Sequence, residues 1–234
     1  ELELSQIVIG VTQFSPLLKT NEKLKNLGGW INPNIEQILL LKPQAVLVVD
    51  TGLSPQVIRT LRELSVTVIV FKSDAIDTIF EEIIFLGKIF QKQKKAEMIA
   101  QKIRDQIFDI QKKTPRFLHP KILVVFDKKP IIGAGKKNFI HEMIQIAGGQ
   151  NVLEKKEIPY PVISLEELFE LNPNFIIDLS MGDNSVQKSQ IPSLWELSKL
   201  HIHSEVVVLP VDLMTRPGPY IGKAIETLFH TIHK

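Results

Sequence analysis

The chain has 234 residues, 44% of them hydrophobic, a formal net charge of +2 and no cysteine. That is apolar material enough for one large domain or two small ones, and it excludes a disordered chain, disulfides, thiol chemistry and cysteine-bound zinc. The charge is too weak to point to nucleic acid, and no apolar run approaches the roughly 18 residues a membrane span requires.

The sequence opens at Glu1 rather than Met, with no signal peptide, so a processed or trimmed form is expected. Gln6 to Val11 reads as a first strand and Thr12 to Lys25 as turns carrying Phe14. The loop Gly28 to Pro33, with Trp30 in it, leads to a short helix. Ala45 to Val49 reads as a continuous apolar strand covered on both faces, followed by the loop Asp50 to Pro55. A helix at Gln56 to Leu64, a strand at Thr67 to Phe71 and a helix at Asp77 to Phe90 follow. This alternation calls for parallel βαβ units.

Lys94 to Lys113 has no Gly or Pro, and Ala96, Ile99, Ile103, Ile107 and Ile110 recur on one helical stripe. Twenty residues make a rod of about 30 Å, read here as a strut joining two lobes. The expected organisation is an N-terminal lobe at 1–93, a linking helix at 94–113 and a C-terminal lobe at 114–234. The second lobe opens with a buried strand at Lys121 to Phe126, a loop with a possible short strand at Ile131 and Ile132, and a helix at Phe139 to Ala147. A strand at Val206 to Leu209, the loop Pro210 to Tyr220 and a helix at Ile221 to His233 close the chain.

An internal repeat supports the two-lobe reading. Asn34 to Asp50 and Ser164 to Ser180 align at a constant shift that places Glu36 on Glu166, Leu41 on Leu171 and Pro43 on Pro173. Each copy opens on a capping residue with Gln37 or Glu167 three positions on, the pattern of a capping box, and then breaks at Pro before an apolar strand.

Chemistry-bearing motifs are sparse. Gly133-Ala134-Gly135-Lys136 lacks the spacing of a phosphate loop and reads as a turn. His201 and His203 have no evident third ligand, so no metal site is expected. No nucleophile elbow or convergent acid–base pair appears, so no catalytic residue is assigned and an α/β nucleotide- or sugar-dependent transferase is a distant alternative. Loops at Phe14, Asp50, Asp127 to Ile132, and Asp212 to Arg216 follow strands, where open parallel sheets bind ligands, and their mixed contents suit a bulky amphipathic ligand. Glu36 and Glu166 project from helix N-termini, placed for one basic partner of twofold character.

Together V-x-G-V-T, G-G-W-x-N-P-N-I-E-x-I-L-x-L-K-P, A-G-G-x-N-V, P-x-x-S-x-E-E-L, N-P-x-x-I-I and R-P-G-P resemble the periplasmic substrate-binding proteins of ABC importers in which one long helix joins two lobes. The resemblance covers nearly the whole chain. It implies a non-catalytic α/β protein of two lobes of parallel βαβ units joined by one long rigid helix, closing little on its ligand. It would carry a chelate without a cofactor of its own, in the periplasm or lipid-anchored at the outer face of the cell membrane. The cobalamin-binding member is nearest, with a ferric siderophore or haem as alternative ligand. By that resemblance Phe14, Trp30, Asp50, Ile132, Tyr160, Asp212 and Arg216 face the ligand, and Glu36 and Glu166 dock to arginines of the importer permease. Val49 and Ile131-Ile132 stand where the cobalamin binder has aromatic rings. The family also begins with a further strand and helix, so the first lobe is expected to be incomplete.

Overall fold

The computed structural model describes residues 2–29, 32–50, 55–114, 118–180 and 204–234. By packing, the chain divides into two compact units, residues 1–73 and 74–234. Against the expected boundaries at 93 and 113, the whole stretch from Asp74 goes with the second unit.

In the first unit β1 (Gly10–Val11) pairs in parallel with β2 (Lys25–Asn26). The strand expected at Gln6 to Val11 shrinks to its last two residues, because the backbone turns at its start, where the Ile7 N–H donates to the Leu4 carbonyl. Helix α1 (Ile35–Leu40) is started by Asn34, whose Oδ1 accepts from the Gln37 N–H at 2.8 Å. It leads to β3 (Val46–Val49), crosses over through α2 (Pro55–Glu63) and returns as β4 (Val68–Phe71), paired in parallel with β3. This is a βαβ unit, and Ile58 and Leu61 of α2 are buried. The expectation that β3 is covered on both faces is not met. Burial alternates along it and leaves Leu47 and Val49 exposed, the period of a strand with one packed face.

The second unit opens with α3 (Ile76–Ile89) and α4 (Gln93–Lys113). Helix α4 is the long helix read from sequence and it is unbroken. Ala96, Ala100, Ile103 and Ile110 are buried, while Met98 and Phe108 stay exposed. Two close approaches depend on glycine: a Cβ on Gly87 of α3 would meet that of Ala96 at 2.3 Å, and one on Gly222 would meet Gln106 of α4 at 2.3 Å. Gly222 lies on α8 (Ile221–Ile232), so α4 is clamped against both α3 and α8.

The sheet of this unit is built from β5 (Lys121–Lys128), β6 (Ile131–Gly133), β7 (Gln150–Asn151), β8 (Val162–Ile163), β9 (Phe175–Asp178) and β10 (Glu205–Val208). Its order is β10-β9-β5-β6-β8, with β7 also on β5. Strands β5, β7, β9 and β10 are mutually parallel; β6 alone runs against them, antiparallel to both β5 and β8. Helices α5 (Phe139–Ile146), α6 (Leu165–Leu171) and α7 (Val211–Thr215) complete the unit. Residues 122–125 of β5 and Ile176 and Ile177 of β9 are shut from solvent, as a parallel sheet covered on both faces requires. Leu123, Val125, Ile131, Leu153, Ile163, Leu168 and Ile176 form one apolar cluster beneath α6.

The repeat holds in local geometry. Asn34 and Ser164 both cap, Ile38 and Leu168 are both buried, and Lys42 and Asn172 both leave the helix at positive φ, 46° and 42°. The capping box is realised only in its forward half at Ser164: its Oγ accepts from the Glu167 N–H, but the Glu167 carboxylate pairs with Lys156 at 2.7 Å.

Candidate ligand-binding site

The carboxyl edge of the six-stranded sheet gathers most of the expected site residues of the second unit. Val125 of β5, Asp178 of β9 and Val208 of β10 lie in register there; β9 and β10 end at this level and β5 runs on to Lys128. After β10, Pro210 starts α7, whose Met214 is buried and pins the turn. Asp212 and Arg216 were expected in a loop; Asp212 lies instead in this helical turn. Arg216 donates to Asp212 Oδ1 from Nε at 3.0 Å and from Nη2 at 2.8 Å. The helix stops at Thr215, and Arg216 is extended at φ −95°, ψ 104°, because Pro217 disfavours a helical residue before it. Both side chains of the pair are well exposed, so it contributes little stability.

Beyond β5 the hairpin to β6 splits the Ile131-Ile132 pair. Ile131 enters the core cluster, and Ile132, on the other face, pairs across to Val162 of β8, which is exposed. Tyr160, just before β8, is partly exposed and stands edge-on to Phe126, with ring centroids 5.3 Å apart. Burial raises the Tyr160 phenol above its ordinary pKa, against a smaller opposing effect of Asn138, so it stays a neutral hydroxyl. Ile132, Val162, Phe126 and Tyr160 thus form an apolar and aromatic surface on the antiparallel side of the sheet, and Asp212 and Arg216 a charged one on the other.

Two residues at this edge escaped the sequence reading. Asp178 is fully buried, and its Oδ2 meets Lys128 Nζ at 2.8 Å. Its Oδ1 accepts from both the Ser180 N–H at 2.9 Å and the Ser180 hydroxyl at 2.6 Å. The only available signal was an acid ending an otherwise apolar strand, N-F-I-I-D.

In the first unit Phe14 is exposed in the turn after β1, and Asp50 follows β3 directly, its N–H donating to the Phe71 carbonyl at 2.7 Å. Trp30, His201 and His203 lie outside the described residues. Glu36 is exposed in the first turn of α1. Its counterpart Glu166 is in the first turn of α6, where its own backbone N–H, and then the Ser164 hydroxyl, hold its carboxyl below the usual range. Two motifs prove structural. Asn151 of A-G-G-x-N-V donates to the Ala134 carbonyl and accepts from the Leu153 N–H, both buried; of the expected turn at Gly133 to Lys136, Gly133 instead ends β6 and Gly135 lies against the Ile158 carbonyl.

A family model described as periplasmic binding protein matches residues 7–200. The chain belongs to the periplasmic binding protein family. It is 24% identical over 225 residues to a vitamin B12-binding protein of Vibrio cholerae, covering 95% of this chain and 80% of that protein. A vitamin B12-binding protein of Yersinia pestis is 22% identical, over 96% and 78%. The solved vitamin B12-binding protein of Vibrio cholerae shares the fold at TM-score 0.79 and 22% identity, over 96% of this chain and 88% of that one. The S. aureus protein IsdE, complexed with haem, does so at 0.78 and 21%, over 99% and 94%. The α/β fold of parallel βαβ units with one long helix is therefore the family's. Among the described residues no helix is long and apolar enough to cross a membrane.

Proposed function

We propose that this family member captures a cobalamin-like corrinoid and delivers it to an ABC importer, as a carrier and not an enzyme. The observation that carries the reading is the mixed edge of the six-stranded sheet. An aromatic and apolar surface at Phe126, Ile132, Tyr160 and Val162 shares it with the polar Asp212–Arg216 pair. A large ligand with a flat apolar face and a hydrogen-bonding rim matches both. Relatives named for vitamin B12 binding, aligned over most of their length, support the same ligand. Phe14, Trp30 and Asp50 of the first unit are its further contacts in this reading.

Glu36 and Glu166 would dock to arginines of the permease. Glu166 is exposed and held anionic by its helix terminus, and no ion pair engages it among the described residues. The carrier would work in the periplasm or lipid-anchored at the outer face of the membrane, with the long helix as a strut between lobes at 1–93 and 114–234. Titration with cyanocobalamin, followed by absorbance or calorimetry, tests the ligand: saturable one-to-one binding is expected, and its absence removes the corrinoid.

A second reading is haem or a ferric siderophore. It is favoured by Val49 and Ile132 standing where more rings would be expected for a corrinoid, and by the fold shared with a haem complex. Haemin and ferric siderophores in the same titration decide it.

A further inference from the structure

We propose that Lys128 is a specificity-determining ligand contact, an ammonium held at the carboxyl edge of the six-stranded sheet to donate hydrogen bonds to acceptor oxygens on the rim of the captured macrocycle. The proposal rests on the binding-protein reading above and adds the chemistry it selects for.

The argument starts from a residue the fold does not need. Asp178 ends β9 in register with Val125 and Val208, and a third valine there would keep the strand apolar. Instead a carboxylate is fully buried, which is costly unless it is paired and hydrogen-bonded. It is both: Ser180 occupies Oδ1 with two donors, and Lys128 lies at Oδ2.

Lys128 is the unusual partner. Its side chain is only 11% exposed, yet an ammonium carries three N–H donors, and among the described residues Asp178 is its one acceptor. Two donors thus have no acceptor among the described residues, three positions past Val125 at the edge where open parallel sheets bind ligands. A pair that served only to tie β5 to β9 would be expected to use those donors internally. Asp178 holds the ammonium in place. Because the pair is neutral as a whole, it suits an uncharged acceptor such as a carboxamide carbonyl, with a carboxylate as the other source of the same oxygen chemistry. Its partner across the hairpin, Ile131, is buried and apolar, and such surroundings strengthen a charge-assisted hydrogen bond.

Lys128→Met alone would strand the buried Asp178 carboxylate, so the test uses paired variants. K128M/D178N removes both charges and the lysine donors; K128Q/D178N replaces the ion pair by two amides that can bond each other and still donate outward. Folding is checked by circular dichroism and thermal unfolding, and binding by titration with cyanocobalamin (carboxamide rim) and haemin (carboxylate rim). Folded K128M/D178N should lose roughly 10- to 100-fold in affinity for the probe the wild type binds, and K128Q/D178N should recover part of it. If K128M/D178N fails to fold, K128Q/D178N decides, with a loss of about fivefold expected. Wild-type affinity in the deciding variant, or equal loss in two folded variants, overturns the proposal while leaving the ligand reading intact. Wild-type protein that binds neither probe overturns both, and the failure is then visible before any substitution.

Discussion

The two copies of the helix–strand repeat open on one device and end in different surroundings. At 34–49 and at 164–178 an uncharged capping side chain accepts from the N–H three residues on, and a residue at positive φ ends the helix before the strand begins. The strands then part company. β9 lies between β5 and β10 and is buried from Ile176 to Asp178, whereas β3 has β4 as its one partner among the described residues and shows an exposed side chain at every second position. The same local code therefore gives a core strand in one unit and a half-covered strand in the other. The number of neighbours sets the difference, since burial on both faces needs elements that the strand's own residues do not supply.

The comparison can be broken most sharply at the strands. Ile176→Ala in β9, inside the closed cluster, should cost about 2–5 kcal/mol in denaturant unfolding. Val48→Ala in β3, half-buried, should cost about 1 kcal/mol. Equal costs would show that β3 is as fully packed as β9. Next in size, Gly87→Ala should destabilise the second unit by about 1–3 kcal/mol despite the better helix propensity of alanine, because the new methyl overlaps Ala96. A rise in melting temperature would mean that α3 and α4 can separate freely.

The caps test what the copies share. Asn34→Ala and Ser164→Ala should each cost about 1 kcal/mol, and should agree with each other more closely than the strand substitutions do. The smallest effect is electrostatic. Glu166 has its carboxyl lowered in the folded state, so its contribution to stability is present above the unfolded glutamate value and is lost as the pH falls through the lowered one. In Ser164→Ala its midpoint, followed by NMR, should move up towards the ordinary range, and an unmoved midpoint would leave the backbone N–H as the whole cause.

Much of the fold was legible because it is written at short range. The stripe Ala96, Ile99, Ile103, Ile107 and Ile110 marks the long helix to within a residue of Gln93–Lys113, and the caps and proline breaks mark the repeat. Errors arose where a neighbour decides. Gln6 to Ile9 has strand-forming residues but turns where it begins, and Asp212 to Arg216 closes a helical turn because Met214 is pinned into the core. Of the site, Ile132, Tyr160, Asp212 and Arg216 lie on or next to strands of one sheet, while Asp178 and Lys128 were missed because neither belongs to a recognisable spacing.

By itself the sequence determined where helices start and stop, which stripe each buries and that one unit is used twice. Those features depend on contacts within four or five residues, and spacing encodes them directly. Only the tertiary structure decided which strand is covered on both faces, where glycine lets two helices touch and which lysine meets the buried acid. Lys128 and Asp178 are brought together by the register of β5 on β9, a pairing between distant segments that no local pattern announces.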